Sequence, residues 1–153
     1  MMNTKDFIKR WQYEIWADRL VSDSIMALPA GRGRASQLFS HLIESKVLWY
    51  QRIHGEHKHI TTVWSDLPIT RCLDVLSEIN SNWDKFVHEL SEEVLQRTIT
   101  YKTMNGQPYQ STVHDILTHI LNHSTYHRGQ IAMEVRKAGG TPAQTDYITF
   151  CRE

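Results

Sequence analysis

Four stretches of this chain carry apolar residues at spacings of three and four, and together they take up most of its 153 residues. A chain built that way hides its apolar stripes by packing its helices against one another. The first stretch starts at Asn3 or Thr4, either of which can cap a helix. It stops before Pro29, because the residue ahead of a proline resists helical backbone angles. Gly31 and Gly33 make the turn. The second helix is expected from Ser36 to Ile53, with Leu38, Leu42, Trp49 and Ile53 on one stripe and Gly55 ending it. A polar crossover follows from His54 to Asp66, a length that suits two helices that are not simple antiparallel neighbours. Thr70 can cap a third helix running to about Leu95, along which Leu73, Leu76, Ile79, Trp83, Phe86 and Leu90 recur.

Ile99 and Tyr101 then alternate with polar residues, and Asn105-Gly106 is a type I′ turn pair. A short hairpin is expected there, with Pro108 confining its second strand to an edge. Ser111 or Thr112, with Asp115 three residues after Thr112, starts a fourth helix that reaches Ala138 before Gly139-Gly140. The tail from Thr141 to Glu153 should pack back through Tyr147, Ile148 and Phe150. The expected fold is therefore all-α: a four-helix bundle with a short β-hairpin between the third and fourth helices, in a single domain over residues 1–153.

Composition narrows the function. The 17 Lys and Arg balance 17 Asp and Glu. With no basic block denser than Arg32-Gly-Arg34, this is not the footprint of a nucleic-acid binder. No apolar run approaches the ~20 residues that cross a bilayer, so no membrane partner is expected. Lys5, Asp6, Lys9 and Arg10 interrupt any signal peptide. Cys72 and Cys151 are too few for a disulfide framework and lack metal-type spacing, which fits a reducing cytoplasmic compartment.

Histidine stands out, with nine in the chain. His119, His123 and His127 recur every fourth residue on the fourth helix. Each step climbs ~6 Å and rotates ~40° past a full turn, so neighbouring imidazoles share a face and two can converge on one metal. Val113, Ile116, Leu117, Ile120, Ile131 and Val135 set the apolar arc of that helix. His127 lies inside the arc, His123 at its border and His119 beyond it, as a supporting or solvent residue. Two histidines hold a divalent ion poorly. The third ligand falls to His41, the one remaining histidine set within an otherwise apolar helical segment. His88 follows a charged stretch, and His114 lies opposite the apolar arc. His54, His57 and His59 belong to the polar crossover and read as solvated. The five tryptophans, Trp11, Trp16, Trp49, Trp64 and Trp83, read as core or dimer surface. Rival metal schemes fail on spacing: there is no H-E-x-x-H, no cysteine pair, and no Glu-x-x-His on two helices.

The segment Asn122-His123-Ser124-Thr125-Tyr126-His127-Arg128-Gly129-Gln130 resembles the signature of the DinB-like family, which includes YfiT-like proteins. Tyr13 to Asp18 resembles the first-helix pattern of that family, and Ser40-His41-Leu42-Ile43 its second-helix histidine. Gly140 to Pro142 and Asp146-Tyr147 resemble its tail. The resemblance implies a four-helix bundle holding one divalent metal ion, commonly zinc or nickel, on three histidines. Carried onto this chain these are His41, His123 and His127. It also implies a homodimer, and a metal-dependent thiol S-transferase that joins a low-molecular-weight thiol to a small electrophile. A metal-dependent hydrolase and a non-catalytic metal-binding or sensing bundle are the alternatives. Tyr126, Arg128 and Gln130 are the polar groups expected beside the metal as catalytic candidates.

Overall fold

The computed structural model describes residues 1–29, 32–56 and 61–153. Gly31, expected in the first turn, and His57 and His59 of the crossover lie outside these residues. The helix α1 (Thr4–Met26) begins where Asn3 caps it: Asn3 Oδ1 accepts from the Lys5 and Asp6 amides, and the Asp6 carboxylate accepts from the Asn3 amide. The second helix, α2 (Gly33–Ile53), starts three residues earlier than its sequence pattern. It ends at Gly55, whose φ of 68° is the left-handed geometry a helix terminator needs.

The third helix differs from expectation at both ends. Helix α3 (Ile69–His88) is capped by Pro68, so Thr70 sits inside its first turn and does not cap. The helix also stops short of Leu95. Ser91 takes an extended conformation and its hydroxyl accepts from the Val94 amide, opening a separate short helix, α4 (Glu92–Gln96). A serine hydroxyl competes with the helical backbone for that amide, and here it wins.

The hairpin follows, with β1 (Thr98–Lys102) antiparallel to β2 (Pro108–Thr112) and Tyr101 opposite Tyr109. Its turn is not type I′. That turn needs two residues at positive φ, and of the pair only Gly106 has one, at 85°. Instead the Gly106 amide bonds Thr103 O and the Thr103 amide bonds Gln107 O, a longer turn closed by a left-handed glycine. Thr112 then caps α5 (Val113–Lys137), its hydroxyl accepting from the Asp115 amide. The tail returns through Tyr147 and Phe150, whereas Ile148, expected to pack with them, is 57% exposed. Helix α6 (Tyr147–Phe150) places Tyr147 edge-on to Tyr13, and the Tyr13 hydroxyl donates to Thr145 O at 2.6 Å.

Contacts along the helices give their directions. Phe7 meets His114 near the start of α1 and α5, and Arg128 meets Glu14 further along both, so these two run the same way. Helices α2 and α3 run together: Tyr50 meets Trp83 and His54 meets Phe86. The long crossover makes this possible, by carrying the chain back along α2 before α3 begins. Helix α2 packs most extensively on α5, while α1 and α2 lie diagonally across the core and scarcely touch. Trp11 and Trp83, both buried, stack at 4.9 Å in the centre. Among the described residues no helix is long and apolar enough to cross a membrane.

Candidate metal centre

The facing surfaces of α2 and α5 bring together the three histidines that the helical wheel and the family pattern select. His41 comes from α2, and His123 and His127 from successive turns of α5. One ring nitrogen from each falls within 4.8 Å of the other two. Ring centroids are 5.1 Å apart for His41 and His123, 4.6 Å for His41 and His127, and 4.3 Å for His123 and His127. The Nε2 atoms of His123 and His127 approach to 3.1 Å.

Two of the imidazoles are oriented by partners that leave Nε2 free. The Nδ1–H of His41 donates to Val63 O at 2.8 Å, and that of His127 to Gln130 Oε1 at 2.7 Å. Fixing a ligand's tautomer through its other nitrogen is the usual device of histidine metal sites. Burial lowers the pKa of His41, outweighing the bond to Val63, which raises it. Burial also pushes His123 down to about 3, with the His127, His41 and His119 rings and Lys46 adding to the effect. Neutral imidazole is the form that binds metal, and burial favours that form in both rings. Three neutral nitrogen donors turned on one point fit a divalent cation, and they leave at least one coordination position for another molecule.

The crossover is part of this site. Besides the bond from His41, the Ser65 amide donates to the Glu44 carboxylate, and the Leu67 amide donates to Ser40 Oγ. Ser40, His41 and Glu44 share one face of α2 and hold residues 63–67 against it. Trp64, carried on that segment, stacks on His41 with centroids 3.7 Å apart and planes 5° from parallel. The sequence places Trp64 in the core or on a dimer surface; at 45% exposed it is not core. No local pattern marks it, because its neighbours in the chain are not its neighbours in space.

The other named residues separate clearly. Gln130 touches His127 directly. Tyr126 stands at the rim, 65% exposed, with its ring 5.2 Å from that of His127. His119 is exposed and lies 5.5 Å from His123, beside Trp49. His88 and His54 are exposed, whereas His114 is half-buried against Phe7, further in than its position opposite the apolar arc suggests.

Arg128 does not face the histidines. Its guanidinium turns into the bundle, where Nη2 meets Glu14 Oε1 at 2.8 Å and Nη1 lies 3.8 Å from Asp18. Lys46 pairs with the same two carboxylates, at 3.2 Å from Glu14 and in closest contact with Asp18. All four side chains are almost fully buried. Burial would raise Glu14, but Lys46 and Arg128 outweigh it and hold that carboxyl below its ordinary range. For Asp18 burial prevails against Lys46, with Glu14 adding to it, so its pKa is raised. This network was legible in part. Glu14 and Asp18 stand in the stripe of Phe7, Trp11, Val21 and Ile25, where a polar residue must have a buried partner.

A helical bundle with a three-histidine cluster between two of its helices is the class that this fold and site define. The chain belongs to the DinB family, whose model matches residues 1–153. It is 23% identical to Protein DinB of Bacillus subtilis (strain 168) over 156 aligned residues, covering 91% of this chain and 90% of the relative. Its fold is similar to the crystal structure of a DinB-like protein from Bacillus cereus ATCC 10987. There the TM-score is 0.66 at 18% identity, across 92% of this chain and 95% of that one.

Proposed function

We propose that this protein binds one divalent metal ion, zinc or nickel, through His41, His123 and His127, and acts as a thiol S-transferase on small electrophiles. The observation that carries the reading is the convergence of three ring nitrogens within 4.8 Å, with two rings tied off at Nδ1. Bound there, the ion would supply Lewis acidity, lowering the pKa of a thiol or a water presented to it. His41 and His127 keep their donor nitrogens turned inward through Val63 and Gln130. Trp64 shields one side of His41 from water, and Tyr126 at the rim offers a hydroxyl to an arriving substrate. Cys151 is exposed at the far end of the tail and Cys72 is buried in α3, so the reacting thiol comes from a small molecule. Their free thiols also fit a cytoplasmic location.

A homodimer is part of this proposal. The tryptophans no longer argue for it, since Trp11 and Trp83 fill the core and Trp64 covers His41. Support comes instead from the groove of about 370 Å³ between α1 and α3, where the half-buried Ile15 and Leu73 lie beside Arg19 and Asp84 over the buried Leu76.

The test is to assay zinc- and nickel-loaded protein against a panel of low-mass thiols and electrophiles, following loss of free thiol and formation of the thioether. Thiol consumption that requires metal and disappears in His127→Ala is the expected result. Metal-dependent turnover of esters or amides without any thiol would replace the transferase with a hydrolase. Tight metal binding with no turnover of either kind would leave a metal-binding bundle.

A further inference from the structure

Trp64 is the large apolar side chain stacked directly on the histidine cluster, yet it is 45% exposed, whereas Trp11 and Trp83 are buried. Burial therefore does not hold it in place. Its segment is pinned through the backbone instead: Val63 O accepts from His41, the Trp64 amide donates to Thr62 Oγ1, and the Ser65 and Leu67 amides bond to Glu44 and Ser40. The indole stacks on His41, lies edge-on to His127 at 6.3 Å, and has the planar guanidinium of Arg34 5.0 Å from its ring. Orienting His41 alone would not need this much ring, because the bond to Val63 already fixes its tautomer. A rigidly held, half-exposed indole beside an open coordination position is what a ligand with a planar apolar group would stack against.

The geometry points to Trp64 as the wall of a substrate subsite that selects molecules carrying a planar, apolar group next to their metal-binding end. This rests on the metal reading given above. The subsite would favour aromatic over short aliphatic substrates, with the Arg34 guanidinium over the indole helping to hold it in place.

Two hydroxamates of matched metal-binding head group test it, acetohydroxamate and benzohydroxamate, titrated calorimetrically into cobalt(II)-loaded protein. Binding at the ion is followed independently by the visible cobalt spectrum. Benzohydroxamate should bind about tenfold more tightly, the order expected for an aromatic pair with its added burial. The preference should collapse toward one in Trp64→Ala and persist in Trp64→Phe. Measurements at saturating cobalt keep any change in metal affinity out of the ratio. Trp64→Leu, which retains apolar bulk against His41 without a flat ring, should also lose most of the preference. Equal binding of the two hydroxamates by the unmodified protein overturns the subsite while leaving the metal site standing, as does a preference that survives Trp64→Ala. A chain that takes up no cobalt overturns the metal reading, and this inference with it.

Discussion

At the scale of single residues, three imidazoles converge and two of them are tethered through Nδ1, an arrangement that metal binding would test. His41→Ala, His123→Ala and His127→Ala should each abolish most metal uptake, and His119→Ala should not, as measured by elemental analysis after dialysis. Gln130→Leu removes only the acceptor of the His127 Nδ1–H. It should weaken metal binding by about 10- to 100-fold without abolishing it, which a competition titration with a chromophoric chelator would register. Protons act on the same rings. His123 titrates near 6.5 when unfolded but is pushed to about 3 in the fold, and His41 is lowered as well. Between those values the unfolded chain binds more protons, so stability is complete above pH ~6.5 and falls as the pH drops toward 3. Metal-free protein should thus melt lower at pH 5 than at pH 7.5, with a shallower dependence in His123→Leu. The extra melting temperature conferred by metal should survive to pH 5 and close only toward pH 3, where His123 takes up a proton in the fold. Melting series with and without added metal read both effects, and a metal increment that stayed constant down to pH 3 would exclude these histidines as ligands.

At the scale of elements, the start of α5 sets where two of the three clustered histidines fall. Thr112 caps that helix through the Asp115 amide. Thr112→Ala should cost about 1 kcal/mol, or roughly 2–4 °C in melting temperature for a chain of this size. Thermal unfolding measures it, and Thr112→Ser should restore most of the loss. The break between α3 and α4 follows the same physics, since one serine hydroxyl at Ser91 outcompetes continued helix. The crossover teaches a different lesson. Its sequence is polar and without period, yet residues 63–67 are ordered by hydrogen bonds from Ser40, His41 and Glu44, all on another element.

At the scale of the whole molecule, four charges in the core tie together helices that pack mainly through apolar surface. Glu14 and Asp18 come from α1, Lys46 from α2 and Arg128 from α5, and Asn80 of α3 reaches Asp18 at 3.4 Å. Arg128→Met leaves buried carboxylates short of one cation and should cost about 3–5 kcal/mol in urea unfolding. Replacing all four charges with apolar residues of similar volume should recover most of that loss. Arg128 Nε and Nη1 lack hydrogen-bond partners among the described residues, so the network is not fully satisfied even as it stands. A fourfold variant no more stable than Arg128→Met would show that the charges do more than neutralise one another. In solution the chain should scatter light as a dimer at micromolar concentration. An Ile15→Glu/Leu73→Glu variant should shift it to monomer if the α1–α3 groove is the interface, and a wild-type protein that is monomeric throughout would remove the dimer.

The sequence by itself determined the four long helices, the hairpin, the docking tail and the pair His123 and His127. Each of these follows from a period or a cap written within a few residues of itself. The choice of His41 also came from the sequence, because a histidine in an apolar helical stripe must face the interior. Only the tertiary structure decided that Trp64 would lie on His41, that Arg128 would turn away from the histidine cluster toward Glu14, and that α3 would run alongside α2. Those outcomes depend on which surfaces meet across the bundle. Local periodicity says which face of a helix is buried, but not what it is buried against.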